Sequence, residues 1–166
     1  MNSLTISLAD QDSRRTKSIG IYNFSVRFAR ELHDGNECGR LTVLANDFNR
    51  KELPSSERSD RRVVVRNLPN QGRLGRIAWD QWGLCSEARR AGSDWLFLPK
   101  GFAPIWRPTP GRLLVYLHDI MGDYYRRQYP GFESTLEFSY FDQSLQSSLR
   151  RAHTVFTNTE FSRGEI

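Results

Sequence analysis

The stretch Arg112-Leu113-Leu114-Val115-Tyr116-Leu117 decides the fold class of this chain. Its apolar side chains occupy both faces of a strand instead of alternating with polar ones, so a strand here needs cover on each side. The segment Asp94-Trp95-Leu96-Phe97-Leu98, closed by Pro99, has the same character. Strands that are buried on both faces are typical of parallel sheets with helices above and below.

The rest of the chain supplies further strands and the helices that would cover them. Four more segments have the apolar and β-branched composition of strands, namely residues 4–9, 41–45, 62–66 and 153–157. Apolar residues at helical spacing predict three amphipathic helices, over residues 21–32, 74–88 and 136–152. The link 46–60 lacks a clear helix, and the link 99–111, with four of the seven prolines, is predicted to be an ordered irregular loop. We therefore predict an α/β fold with a doubly wound, mainly parallel sheet and helices on both faces.

Composition and charge narrow the class of protein. With 166 residues, the chain has the size of one domain, spanning residues 1–166. Its net charge of +5 and its many arginines suit an anionic partner, although scattered arginines can also reflect genome composition. No nucleic-acid-binding motif accompanies them, so we expect no nucleic-acid partner.

Cys38 and Cys85 form no CxxC pair, which excludes a disulfide scaffold or a structural zinc site. No apolar stretch suits a membrane span or a secretory signal, so we expect a cytoplasmic protein.

A doubly wound sheet binds its ligands beyond the carboxyl ends of its strands. The loops expected there are residues 10–22, 67–73, 99–107, 118–129 and 157–162. His118 directly follows a strand, where a histidine can donate to a sugar hydroxyl or a phosphate, although such a residue is more often structural. Gly20 stands at the start of a helix, where backbone amides can approach an anion, although a single glycine there more often marks a simple turn.

Two other groups of residues allow more than one interpretation. Asp10-Gln11-Asp12 could belong to a phosphoacceptor receiver domain, but Arg66-Asn67 occupies the place of the further aspartate that such a site needs. A metal-binding D-x-D motif normally follows an internal strand and not the first one. The loop Asp123–Tyr129 interleaves rings with arginines, which suits stacking on sugars or bases, or equally a buried aromatic cluster with solvated arginines.

Five short motifs occur in order along nearly the whole chain. They are Ser18-Ile19-Gly20-Ile21-Tyr22, Arg76–Trp82, Leu98–Pro104, Leu117–Ile120 and Ser148–Ser162. In this order they resemble the G-I-G-x-Y turn, the R-x-x-W-x-Q helix, the H-x-P-x-x-F-x-P loop, the H-D-L motif and the R-R-A-D-x-V-x-x-x-S-x-F-S block of retaining glycosyltransferases of family 4. These are the group-one transferases of GT-B architecture, and the resemblance is to their amino-terminal domain. Ser18 replaces the first glycine of the turn.

The resemblance implies roles for individual residues. These are the catalytic pair His118 and Asp119, the donor-phosphate turn Ser18, Gly20 and Tyr22, the acceptor-binding residues Lys100, Phe102, Asp123, Tyr124 and Arg126, and the cleft residues Asn158, Thr159, Glu160 and Ser162.

The resemblance also implies a reaction. The chain would be the Rossmann-like amino-terminal half of an enzyme that transfers a sugar from a UDP- or GDP-linked donor to a glycan or lipid-linked acceptor, with retention of anomeric configuration. The nucleotide sugar would be a co-substrate, and no cofactor and no metal ion are expected. Donor binding would depend mainly on a carboxyl-terminal domain outside residues 1–166, so we expect these residues alone to be inactive. The basic charge would suit an acidic glycan or peripheral association with the inner face of the membrane. The alternative is a freestanding, non-catalytic α/β domain that binds an anionic ligand.

Overall fold

The computed structural model describes residues 3–14, 19–35, 38–55, 59–66, 72–118 and 135–165. Its strands are β1 (Ser3–Ser7), β2 (Arg40–Ala45), β3 (Arg61–Val65), β4 (Trp95–Leu98), β5 (Arg112–Leu117) and β6 (Thr154–Thr157). Its α-helices are α1 (Ile19–Asp34), α2 (Arg73–Ala78), α3 (Leu84–Arg90), α4 (Thr135–Arg151) and α5 (Glu160–Glu165). A 3-10 helix (Asn49–Glu52) follows β2, and a π-helical turn (Trp79–Gly83) joins α2 to α3. No helix in these ranges is both long and apolar enough to cross a membrane.

The six strands form one sheet in the order β3-β2-β1-β4-β5-β6, and every neighbouring pair is parallel. This confirms the predicted α/β fold with a doubly wound sheet. The chain builds outward from β1 to β3 on one side and then crosses over to β4, β5 and β6 on the other. The direction of winding therefore reverses between β1 and β4. Because crossovers between parallel strands are right-handed, this reversal places the helices of the two halves on opposite faces.

Strand β4 contributes alternate side chains to two hydrophobic layers. On β4, Phe97 faces α1, where its ring centroid lies 4.9 Å from that of Phe28. Its neighbour Leu96 faces the opposite layer, together with Leu84 of α3 and Leu149 of α4. Burial on both faces explains why this strand has no alternation of apolar and polar residues.

The predicted helix over residues 74–88 is not continuous. The π-helical turn interrupts it, and Trp79 within this turn is buried. A Cβ at Gly83 would lie only 2.5 Å from Trp79 Cε3, so the glycine leaves the room that the indole occupies. A π-helical turn adds one residue to a helix and shifts the side chains that follow, and such turns are frequent at functional sites. This turn contains two polar residues of the site described next, Asp80 and Gln81.

Candidate functional site

The candidate site lies where the winding of the sheet reverses. Asp10 lies shortly after β1 and Lys100 shortly after β4, and these two strands are neighbours. Lys100 Nζ forms an ion pair with Asp10 Oδ2, whose side chain is only 6% exposed. The ion pair therefore joins the two loops at the carboxyl edge where folds of this class bind ligands.

A second carboxyl group, that of Asp80, extends this ion pair. Its Oδ2 accepts a hydrogen bond from the hydroxyl of Tyr140 on α4, at 3.2 Å. Burial and the negative charge of Asp10 raise the pKa of Asp80 to about 7, against the opposing effects of Lys100 and Tyr140. Asp80 therefore exchanges a proton near neutral pH, which is the property that general acid–base catalysis needs.

The groups around Lys100 and Tyr140 keep the lysine charged and the tyrosine protonated. Burial alone would lower the pKa of Lys100, but the charges of Asp10 and Asp80 outweigh this effect and raise it. Burial and the charge of Asp80 raise the pKa of Tyr140 to about 12. In the parts of the chain that the structure describes, no three His, Cys, Asp or Glu side chains gather as metal ligands. The site thus presents an ammonium group beside a carboxyl group whose charge changes near pH 7.

Replacing Asp80 by asparagine is expected to remove a pH dependence of stability. The pKa of Asp80 rises from 3.8 to about 7 on folding, so the folded chain binds more protons than the unfolded chain between these two pH values. The wild-type free energy of unfolding therefore falls as pH rises through this window. We expect Asp80→Asn to be more stable than the wild type by an amount that grows by about 2–3 kcal/mol between pH 5 and pH 8.

Urea unfolding at pH 5 and pH 8 measures this difference. The matched control is Gln143→Ala, at an exposed position on the same helix as Tyr140, since neither side chain titrates. Its effect should not change between the two pH values. An equal effect of Asp80→Asn at both pH values would contradict the raised pKa.

Two buried asparagines fix the loop that carries Asp10. Asn46 Nδ2 donates to the carbonyl oxygens of Ala9, at 2.9 Å, and Gln11, at 2.8 Å. Asn49 Nδ2 donates to the same Gln11 oxygen at 2.9 Å. The two asparagines also bond each other, since each side-chain oxygen accepts the backbone N–H of the other residue at 2.9–3.0 Å. A buried network whose polar groups are paired restricts the backbone on both sides of Asp10.

Side chains from other elements also hold the irregular loop between β4 and β5. Gln81 Oε1 accepts the backbone N–H groups of Ile105, at 2.7 Å, and Trp106, at 3.1 Å. Ser148 Oγ on α4 accepts the N–H of Ala103 at 2.7 Å. Both Gln81 and Ser148 are buried. The loop that carries Lys100 is therefore ordered by hydrogen bonds, as the sequence predicted for an irregular segment.

His118 lies at the same edge, directly after β5. Its Nε2 lies 3.1 Å from the carbonyl oxygen of Pro99. Because a carbonyl only accepts, Nε2 carries the proton in this hydrogen bond. The imidazole also packs against the rings of Tyr116, at 4.4 Å between centroids, and Phe24, at 5.4 Å. These contacts orient the imidazole and connect the end of β5 to the loop after β4.

One pair of aromatic rings lies at the ion pair, and a second pair lies beside the buried Gln81. Phe102 lines a small cleft with Asp10 and Lys100, and it stacks on Phe141 with 5.3 Å between ring centroids. Trp82 and Trp106 form a second pair at 5.6 Å and remain 45% and 60% exposed. Large exposed rings next to buried polar groups suit the binding of a ligand with both apolar and polar faces.

The predicted donor-phosphate turn lies only partly within the described residues. Gly20 lies in the first turn of α1, and open space surrounds the position that its Cβ would take. Tyr22 is buried, and its hydroxyl donates to Glu52 Oε1 at 2.6 Å. Burial and this hydrogen bond raise the pKa of Tyr22. Tyr22 therefore links α1 to the 3-10 helix, and a role in donor binding stays a prediction for both Gly20 and Tyr22.

The predicted cleft residues lie at the start of α5, after β6. Thr159 caps this helix, since its Oγ1 accepts the N–H of Ser162 at 3.0 Å. Asn158 and Glu160 are exposed beside the cap. The remaining predicted site residues lie outside the described part of the chain, namely Ser18, Asp119, Asp123, Tyr124 and Arg126.

Four residues of the site were not identified from the sequence. Asp80 fits a polar position and Tyr140 an apolar position of the predicted helices, and Asn46 and Asn49 lie in a link predicted to be polar. Asp10 was considered as part of a receiver-domain site or a D-x-D motif, and it lay within the expected loop 10–22, but it was not singled out by itself. Its position after the first strand, at the ligand-binding edge, was the signal that could have identified it.

Comparison with known proteins does not place the chain in a family. No family model, no curated protein and no solved structure matches it significantly. The function is therefore inferred from the motifs of the sequence together with the geometry of the carboxyl edge.

Proposed function

We propose that this chain is the acceptor-side, amino-terminal half of a retaining glycosyltransferase of GT-B architecture. The reaction would move a sugar from a nucleotide sugar to a hydroxyl group of a glycan or lipid-linked acceptor. The observation that carries the proposal is the ion pair of Asp10 and Lys100 at the reversal of winding, with His118 bonded to the same loop as Lys100. Polar groups that converge beside aromatic rings are typical of small-molecule sites.

The order of the motifs along the sheet also supports the proposal. Gly20 follows β1, Lys100 follows β4, His118 follows β5 and Thr159 follows β6. All four strands are parallel, so these residues belong to loops at one edge. A function in which several loops act on one ligand fits this arrangement.

The chemistry of transfer suits the groups at this edge. The bond from the anomeric carbon to the donor phosphate breaks, a bond from that carbon to the acceptor oxygen forms, and the acceptor hydroxyl passes its proton to the leaving phosphate. Negative charge grows on the leaving phosphate, so positioned hydrogen-bond donors lower the barrier. We assign His118 to contact with the transferred sugar, and Lys100 and Phe102 to contact with the acceptor. The donor nucleotide would be held mainly by a second domain.

The test uses the protein encoded by the complete reading frame. It is incubated with UDP- and GDP-linked sugars, with oligosaccharides and membrane lipid extracts as acceptors. Transfer with retention is read from the coupling constant of the anomeric proton in the product. We expect His118→Ala to lower kcat/KM by about 100-fold, because a hydrogen bond to the reacting sugar would be lost.

The matched control is His153→Ala. His153 is exposed at the amino end of β6, and its ring packs against Trp95 at 5.2 Å, away from the carboxyl edge. This variant should retain wild-type turnover. If His118→Ala also retains it, His118 has no catalytic role. If the full protein binds a nucleotide sugar without transferring it, a non-catalytic domain that binds an anionic ligand is the better description.

A further inference from the structure

A second cleft lies on the flank of the sheet, separate from the candidate site. It has a volume of about 120 Å³ and lies between β2, β3 and α3. Its polar groups come from Thr42, Arg62, Arg66, Glu87 and Arg90. Strands β2 and β3 lie on the side of β1 away from β4, so this cleft does not include the ion pair at the reversal of winding.

The charges in this cleft are arranged around one buried carboxylate. Glu87 Oε2 pairs with Arg66 Nη2 at 2.8 Å, and Glu87 Oε1 pairs with Arg90 Nη1 at 2.6 Å. Burial would raise the pKa of Glu87, but the hydrogen bonds from the two arginines outweigh this effect and lower it. Glu87 therefore stays charged and holds two guanidinium groups in place on the walls of the cleft.

The third arginine increases the positive charge. Within the described residues, Arg62 makes one hydrogen bond, from Nε to Thr42 Oγ1 at 3.2 Å, and no ion pair. Three arginines and one glutamate leave a net charge of +2 in the cleft. Each guanidinium carries a fork of N–H donors, and the bonds to Glu87 and Thr42 occupy only some of them.

We propose that this cleft binds the phosphate group of a small anionic ligand. The cleft has room for several water molecules, and therefore for one phosphate group. A dianion would balance the net charge, and guanidinium forks match the spacing of phosphate oxygens. Arg62 alone has another explanation, because charged side chains on an edge strand prevent the strands of two molecules from pairing. This explanation does not cover the buried Glu87, which fixes two more arginines beside Arg62. The proposal does not depend on glycosyl transfer.

The test is a calorimetric titration of the chain with inorganic phosphate at constant ionic strength. We expect saturable binding of one phosphate. Arg62→Gln removes one guanidinium without breaking the pairs of Glu87, and we expect it to raise the Kd about tenfold. Glu87→Gln removes the negative charge from the cleft, and we expect it to lower the Kd several-fold. Opposite changes in the Kd of these two variants would show that phosphate binds in this cleft.

The matched control is Arg163→Gln, which removes an exposed guanidinium that pairs with Glu160 at 3.3 Å on α5. This variant should leave the Kd unchanged. Equal weakening by Arg62→Gln and Arg163→Gln, or no saturable binding, would overturn the proposal, because phosphate would then be an adventitious ion only. Sulfate, a tetrahedral dianion, should compete with phosphate, whereas acetate should not. Equal competition by acetate would overturn the assignment to phosphate. Arg62 is exposed, so its variant remains informative even if Glu87→Gln does not fold.

Discussion

Lys100→Met is expected to lower the free energy of unfolding by about 4 kcal/mol at pH 8. Methionine retains most of the aliphatic volume of the side chain but cannot balance the carboxylates of Asp10 and Asp80. The Asp10 side chain is only 6% exposed, so water would compensate little of the lost ion pair. At pH 5 the loss should be smaller, because Asp80, with a pKa of about 7, is then protonated in the folded chain. Urea unfolding followed by tryptophan fluorescence at both pH values measures the two losses.

The same change at another lysine provides the control. Lys51 is exposed on the 3-10 helix, so Lys51→Met should change stability by no more than about 0.5 kcal/mol. The double variant Asp10→Asn with Lys100→Met should recover much of the loss, since it leaves no charge from the ion pair buried. Equal losses in the two single lysine variants would show that the ion pair does not stabilise the fold.

Arg61→Met is expected to lower the free energy of unfolding by about 3 kcal/mol. Arg61 is 1% exposed at the start of β3. Its guanidinium pairs with the Asp60 carboxylate at 2.9 Å and donates to the backbone carbonyl oxygens of Gly35, Cys38, Gly39 and Asp60. Methionine fills a similar volume but donates no hydrogen bond, so several carbonyl oxygens would lose their partner. Thermal and urea unfolding measure the loss.

The neighbouring arginine is the control for this prediction. Arg62 is exposed, so Arg62→Met should change stability by no more than about 0.5 kcal/mol. Arg61→Lys should recover only part of the loss, because an ammonium group cannot reach carbonyl oxygens in several directions as a guanidinium does. The prediction fails if Arg61→Met and Arg62→Met are equally stable.

The elements that the sequence predicted well are those with a continuous local pattern. Strand β5 has the predicted bounds, Arg112–Leu117, because its apolar run is bounded on both sides. Strand β1 was predicted to continue to Ala9, but it ends at Ser7, since the N–H of Gln11 turns back to the carbonyl oxygen of Leu8 at 3.0 Å. The π-helical turn was not predicted, because it depends on the packing of one indole over a glycine.

The candidate site was predictable only in part, because its contacts join residues that lie far apart in the sequence. The positions of His118 and Lys100 at one edge follow from the strands that precede them. The pairing of Lys100 with Asp10 does not follow from these strands, because Asp10 lies 90 residues earlier in the chain. Asp80 and Tyr140 are 60 residues apart, and no spacing in the sequence indicates that they are hydrogen-bonded.

The amino-acid sequence by itself determined the α/β class, the doubly wound parallel sheet and the edge at which ligands are expected. These features follow from hydrophobic periodicity, which acts over a few residues and is visible in any short window. The tertiary structure alone decided which polar groups meet there, because the crossovers of the sheet bring distant loops together. It also decided the charge state of the site, since the pKa of Asp80 depends on how deeply it is buried and on the charges beside it. Burial and charge proximity are properties of the packed chain, and no local pattern of residues encodes them.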